Sequence, residues 1–312
     1  MMSSGSEIKR TERRFTLNTG DSIPAIGCGT WHVKGDEAIE SVKIALQSGY
    51  RHVDTAYAYG NEKEVGKGIK ASGVPRGDIW LTSKLDHRWH HRVEEAIDES
   101  LKNLDVEYLD AFLMHWPCAT DPEDTTKTLP DWDFIKTWEA MQKLPATGKV
   151  KNIGICNVQL IFLEKLLGHP TCKTVPAINQ IELHPNHPSN KLVEVCKSKG
   201  IHVTAYSCLG SEKSPLLSGK DATLNSIAES TKKTKAQILL SWGIQRGTSV
   251  IPRSTKADRI RDNFDINGWE LSSEQMEELN AVKERYKACG DGFLPMRVFF
   301  DDDDDYTNTE KI

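Results

Sequence analysis

Two hydrophobic periods alternate along the chain. Short β-prone runs occur at 26–31, 50–55, 79–84, 109–115, 150–156, 177–181, 201–206 and 249–251. Between and after them, apolar residues recur every three or four positions, as in Ala38, Ile39, Val42, Ala45 and Leu46, and again in Val93, Ile97, Leu101 and Leu104. This spacing predicts helices following Asp36 as cap, near 62–71, 91–103, 133–143, 160–167, 190–199, 223–231, 235–246 and 257–264, and over 272–289. Ahead of the first run, Phe15 to Ile23 reads as a hairpin turned by Asn18 to Asp21.

Strands regularly followed by helices predict a parallel sheet in an α/β fold. An open dinucleotide-binding sheet calls for Gly-x-Gly-x-x-Gly after its first strand. Here Gly27 and Gly29 supply the first two glycines, but the third is missing. A closed (β/α)8 barrel with an N-terminal hairpin and a C-terminal loop is therefore expected, spanning 15–300. A flexible polar segment, 1–14, precedes it, and a flexible acidic tail, 301–312, follows.

Composition narrows the class. The 312 residues carry a net charge of −5, which gives no general attraction to nucleic acid or anionic membrane. No apolar run reaches the roughly 18 residues of a membrane span, and the N-terminus lacks the apolar core of a secretion signal. Seven scattered cysteines without a CxxC pair suit reduced thiols in a cytoplasmic protein. No zinc-ligand spacing is present.

Polar residues at the expected strand ends carry the chemistry. Asp54 and Tyr59 follow the 50–55 strand, Lys84 closes 79–84 and His115 closes 109–115. In an α/β barrel these ends share one face. Tyrosine is a weak acid, with an ordinary pKa near 10, and a neighbouring ammonium lowers it. Lys84 can supply that ammonium, Asp54 can hold it, and His115 can orient a carbonyl or join a proton relay. Hydride must come from a cofactor, because no side chain donates it.

These residues lie in motifs that resemble the aldo-keto reductase signatures: Gly49-Tyr-Arg-His-Val-Asp54 through Tyr59-Gly-Asn-Glu62, Leu113-Met-His-Trp-Pro117, Asn179-Gln-Ile-Glu-Leu-His-Pro185 and Ile251-Pro-Arg-Ser254. The resemblance runs from about residue 15 to 300, and the segment Leu144 to Gly154, with Asp131-Trp-Asp-Phe before it, is similar to fungal members acting on glyceraldehyde, glycerol or related sugar aldehydes. It implies a TIM barrel that binds NADPH, with Tyr59 as proton donor, Asp54 and Lys84 as its tuning partners and His115 orienting the carbonyl. It further implies a nicotinamide site at Thr30, Cys156, Asn157, Gln180 and Tyr206. Ser207, Leu209, Gly210 and Ser211 would form the loop over the pyrophosphate. Arg253, Ser254, Thr255 and Arg259 would take the 2′-phosphate, and Asp262 and Asn263 the adenine.

The chain departs from that pattern in places. Cys156 replaces a serine and weakens one expected contact to the carboxamide; Arg253 replaces a lysine; Cys208 replaces a proline and should loosen its loop. Lys213 stands near the usual position of a loop-fastening acid. Asp86 suggests a polar pocket rim. Trp31 and Trp116 are candidates for the substrate-pocket wall, with core packing the competing role, and the loops 117–132 and 290–300, with Trp132, Phe293 and Phe299, are expected to complete it. The expected activity is NADPH-dependent reduction of a small hydroxy-aldehyde or sugar aldehyde by a monomer or weak dimer. A pentose reductase, a secondary-metabolite ketone reductase and a non-catalytic NADPH-binding regulatory subunit are the alternatives.

Overall fold

Eight parallel strands lie side by side in the order in which the chain makes them, in a computed structural model that describes residues 13–218 and 222–300. The segment before Arg13 and the acidic run at 301–305 fall outside the described residues. A hairpin of β1 (Arg14–Thr16) and β2 (Ser22–Pro24) comes first. The barrel strands are β3 (Cys28–Gly29), β4 (His52–Asp54), β5 (Trp80–Leu85), β6 (Leu109–Met114), β7 (Val150–Cys156), β8 (Ile178–Glu182), β9 (His202–Tyr206) and β10 (Ser249–Val250).

First and last strands meet. Gly27 N donates to Val250 O (2.8 Å), Val250 N to Ala25 O (2.8 Å) and Gly29 N to Pro252 O (3.0 Å). Closure explains the Gly-x-Gly pair: a Cβ on Gly27 would lie 2.7 Å from the His52 ring, and one on Gly29 2.7 Å from Ile251 O. The glycines serve close strand approach, not phosphate binding.

The helices cover the outside. They are α1 (Gly35–Gln47), α2 (Glu62–Ser72), α3 (Val93–Leu104), α4 (Phe134–Met141), α5 (Leu160–Gly168), α6 (Asn190–Ser198), α7 (Ala222–Thr231), α8 (Lys235–Gln245), α9 (Ala257–Phe264) and α10 (Ser273–Asn280). Their apolar faces and the outward side chains of the strands form one continuous core. Inside the barrel a second cluster joins Trp80, Ala111, Leu113, Cys156 and Ile178 to Leu17 and Ile23 of the hairpin. The hairpin thus plugs the end where the strands begin: Asn18 Nδ2 donates to Pro176 O (3.1 Å), and Thr19 Oγ1 to Asn152 Oδ1 (2.6 Å).

Two expectations need correction. Asp36 does not cap α1; Lys34 holds that position without a side-chain hydrogen bond, and Asp36 sits in the first turn, where its charge complements the helix dipole. The helix expected over 272–289 stops at Asn280. Beyond it the backbone groups of Glu284, Tyr286, Ala288 and Cys289 are bonded by residues at the end of β8, so tertiary contacts override local helical preference.

Close packing gives a stability test. A Cβ on Gly66 of α2 would stand 2.2 Å from Leu104 O at the end of α3, whereas one on Gly77 meets nothing within 4 Å. Gly66→Ala is expected to lower unfolding free energy by about 1–3 kcal/mol in urea titration, with Gly77→Ala changing it far less. Equal effects would contradict this packing.

Candidate active site

The mouth of the barrel, at the carboxyl ends of the strands, gathers the four expected residues. Asp54 is the last residue of β4, Lys84 the penultimate residue of β5, and His115 follows β6 directly. Tyr59 stands further out, on a single 3₁₀ turn, Tyr57–Tyr59, which Gly60 ends in the left-handed region (φ 65°) before α2 begins. Asn61 fixes this turn: it accepts from Thr55 Oγ1 (2.9 Å) and donates to Thr30 O and Val33 O (both 2.8 Å). It therefore ties the loop after β3 to the loop that carries Tyr59.

The ammonium of Lys84 is fully buried and spends its three protons on three acceptors: Asp54 Oδ1 (2.6 Å), Thr55 O (2.8 Å) and the Tyr59 phenol oxygen (3.2 Å). The other oxygen of Asp54 accepts from Gln180 Nε2 (2.7 Å). Burial alone would push Lys84 down, but Asp54 and Tyr59 beside it hold it above its ordinary range, so it stays charged. Burial also outweighs the pull of Lys84 on Tyr59, and the phenol lies above its ordinary value rather than below it. The expected net depression of Tyr59 is thus reversed: the phenol keeps its proton at neutral pH. Because its oxygen accepts from Lys84, the phenol's own O–H must donate elsewhere.

His115 packs edge-on to Tyr59, with ring centroids 5.7 Å apart. Burial, reinforced by the nearby Lys84 charge, drops its imidazole well below the usual range and keeps it neutral. Asn157 Nδ2 donates to His115 O (3.0 Å) and approaches Cys156 Sγ (3.3 Å), while its Oδ1 accepts from Tyr206 OH (2.7 Å). Asn157, Gln180 and Tyr206 therefore meet beside the four, with Cys156 between the two amides, 4.0 Å from Gln180 Oε1. Burial raises the Cys156 thiol, so it stays uncharged. Gln180 keeps one N–H and most of its acceptor capacity, and Asn157 keeps an oxygen lone pair, so the pair fits a carboxamide. Thr30, bonded through Oγ1 to Asp54 O (3.0 Å), borders the same space.

The other expected cofactor residues lie on the segments that follow β9 and β10. Ser207 and Ser211 have left-handed backbones, and Gly210 N donates to Ser207 O (2.6 Å), folding the loop tightly. Cys208 is buried in the core, an apolar anchor in a loop expected to be loose. Glu212 and Lys213 are both exposed. Arg253, Ser254 and Thr255 lie after β10, and Arg259 on α9; both arginines are exposed and neither forms an ion pair among the described residues. Asp262 is exposed further along α9, and Asn263 beside it is buried.

The substrate side is mixed. Trp116 is buried, with its ring 6.1 Å from His115, 5.1 Å from Phe293 and 5.5 Å from Phe299. Trp31 lies tilted against His32, with ring centroids 4.0 Å apart, and remains 53% exposed, which rules out core packing. Trp132 Nε1 donates to Thr137 Oγ1 on α4 (3.0 Å), and its ring meets that of His91 edge-on. Asp86 is not a free rim carboxylate. It is buried and held by Arg88 through Nε (2.9 Å), Nη2 (3.1 Å) and backbone N (2.9 Å), and these bonds outweigh burial to lower it below the usual carboxylate range.

Sequence reasoning missed Asn61, and it missed the buried Glu182, His184 and Asn186 that follow Gln180. The signature containing Gln180 includes Glu182 and His184, yet the backbone partners of Glu182, Ala288 and Cys289, are about a hundred residues away and leave no local trace.

This arrangement belongs to the aldo/keto reductase family, whose profile matches residues 25–284, and the protein is an oxidoreductase. It is 44% identical to glycerol 2-dehydrogenase (NADP(+)) of Saccharomyces cerevisiae over 304 residues, covering 91% of this chain and 96% of that protein. Aldehyde reductase YPR1 of the same yeast is 43% identical, with 83% and 88% covered. Among solved structures, aldose reductase from Schistosoma japonicum superposes with a TM-score of 0.83 at 37% identity, over 90% of this chain and 96% of that one. No helix among the described residues is long and apolar enough to cross a membrane.

Protonation at this site is open to direct measurement. His115 is expected to stay neutral as pH falls through the ordinary histidine value of about 6.5, followed by nitrogen chemical shifts. Unfolded chain takes up that proton while the fold does not. The His115 contribution to stability is therefore present above about pH 6.5 and lost below it, at up to about 1.4 kcal/mol per pH unit. A midpoint near 6.5 in the folded protein would contradict the burial argument.

Proposed function

We propose that the protein reduces a short hydroxylated aldehyde or ketone to the alcohol with NADPH, and that Tyr59 is the proton donor. Bound NADPH supplies the hydride. The observation that carries the reading is the direction of the Tyr59 hydrogen bond: Lys84 donates to the phenol oxygen, leaving the phenol proton free to face the barrel mouth. A carbonyl oxygen placed between Tyr59 and the neutral His115 receives hydrogen bonds as negative charge develops on it. Tyr59 then gives up its proton, and the adjacent ammonium holds the phenolate until solvent returns one. Asp54 keeps Lys84 charged and in place throughout.

Asn157 and Gln180 would hold the carboxamide, and Tyr206 the nicotinamide face. Arg253 and Arg259, without an ion pair among the described residues and flanking the start of α9, suit a 2′-phosphate; charge-assisted bonds contribute roughly 1.5–3 kcal/mol each. The glycerol dehydrogenase relative supports a short polyol-derived substrate. The aromatic group of Trp116, Phe293 and Phe299 favours a second reading, a bulkier apolar ketone.

A panel of short hydroxy-aldehydes, pentoses and aryl ketones separates these substrates by kcat/KM. Tyr59→Phe is expected to lower kcat at least about a hundredfold while leaving NADPH binding near wild type. If wild type binds NADPH but reduces none of the panel, and Tyr59→Phe changes nothing, a non-catalytic cofactor-binding role replaces the enzymatic one. Replacing both Arg253 and Arg259 by alanine should cut the preference for NADPH over NADH more than about tenfold. An unchanged preference would contradict the phosphate assignment.

A further inference from the structure

Two segments overhang the barrel mouth without being neighbours in sequence. One is the loop 206–218, whose Ser207, Leu209, Gly210 and Ser211 are the residues expected over the pyrophosphate. The other is the strap 284–300, whose Phe293 and Phe299 meet at Trp116. The strap is folded back on itself by Asp291, whose Oδ2 accepts from Val298 N (2.7 Å) and Phe299 N (2.9 Å).

Both segments are fastened to the short stretch after β8. Glu182, the last residue of that strand and buried, accepts from Ala288 N (2.6 Å) and Cys289 N (2.7 Å) and pairs with His184 Nε2 (3.0 Å). Asn186, also buried, bonds in both directions. Its Oδ1 accepts from Ser214 Oγ of the loop (3.2 Å), while its Nδ2 donates to Glu284 O (2.9 Å) and its carbonyl accepts from Tyr286 N (3.1 Å) of the strap. A second link joins the segments directly, Ser211 Oγ to Tyr286 OH at 3.0 Å. The loop side is closely packed: a Cβ on Gly210 would lie 2.8 Å from Ser214 and 3.5 Å from His184.

We propose that Asn186 is a positioning residue that couples the loop over the cofactor to the strap that walls the substrate pocket, so that NADPH binding tightens the pocket before the carbonyl arrives. The inference rests on the cofactor assignment of the previous section. A ligand that orders the 206–218 loop holds Ser214 against Asn186. That fixes the side-chain amide whose other end holds Glu284, and the strap gains order where it meets Glu182. Loop and strap then close as one unit because a buried amide bonded at both its oxygen and its nitrogen is costly to break from either side.

Ser214→Ala tests this at a distance, since Ser214 touches neither the carbonyl pocket nor the strap backbone. Hydrogen exchange of the Ala288 and Cys289 amides is read with and without saturating NADPH, together with NADPH affinity and the KM of the best carbonyl. In wild type, NADPH is expected to slow exchange of both amides about three- to tenfold, and Ser214→Ala to abolish that slowing and raise the carbonyl KM at saturating NADPH by a similar factor. Asn186→Ala should do the same, with Ser214→Ala adding nothing in its background. NADPH binding that leaves both amides unprotected in wild type, or full protection retained in Ser214→Ala, overturns the coupling. Protection lost in Ser214→Ala, in a protein that reduces no carbonyl, supports the coupling and removes the enzymatic reading instead. Absence of NADPH binding in wild type removes both.

Discussion

A buried lysine ammonium sets the terms for everything at the barrel mouth. Taking such a charge out of water costs several kcal/mol even after relaxation, and the cost is offset only if every proton finds an acceptor. Lys84 meets that condition with Asp54, the carbonyl of Thr55 and the Tyr59 phenol. The acceptors come from the last residue of β4 and the segment after it, while the ammonium comes from β5. The parallel register of those two strands, Asp54 opposite Thr82, places them together. The same requirement that makes the pair stable also orients the phenol, because the third proton must end on Tyr59. Stability and proton geometry are thus one constraint.

Around that centre the barrel provides rigid positions and the loops provide coverage. Gln180 on β8 reaches across the interior to the second oxygen of Asp54, and Asn157 after β7 is held by Tyr206 of β9 and by the His115 carbonyl. Five strand ends are therefore joined by side-chain bonds as well as by the sheet. The loop 206–218 and the strap 284–300 lie over this frame, and both are held by residues following β8. Trp116, Phe293 and Phe299 all lie outside the regular elements, on segments whose shape is set by a small number of buried polar side chains.

Much of the frame was legible in the sequence, since strand–helix alternation depends on local hydrophobic periods. Asp54, Lys84 and His115 could be placed because a polar residue closing an apolar run stands out, and Asn157, Gln180 and Tyr206 followed from the family signatures. What was not legible depended on distant partners. The helix expected to reach 289 ends at Asn280 because Glu182 and Asn186 capture the backbone beyond it. Asp86 read as a free polar rim because its lock to Arg88 depends on a 3₁₀ turn that hydrophobic pattern does not show. Tyr59 looked like a phenol acidified by a neighbouring charge, whereas burial proved the larger influence.

The central claim is that Lys84 orients Tyr59 and does not itself touch the substrate. A crystal structure with NADPH and an unreactive amide analogue of a short aldehyde tests it most directly. The account predicts the amide oxygen within hydrogen-bond distance of both the Tyr59 hydroxyl and the His115 ring, with Lys84 still bonded to Asp54, Thr55 and the phenol. An oxygen bound directly by the Lys84 ammonium, or one seated away from Tyr59, would contradict it.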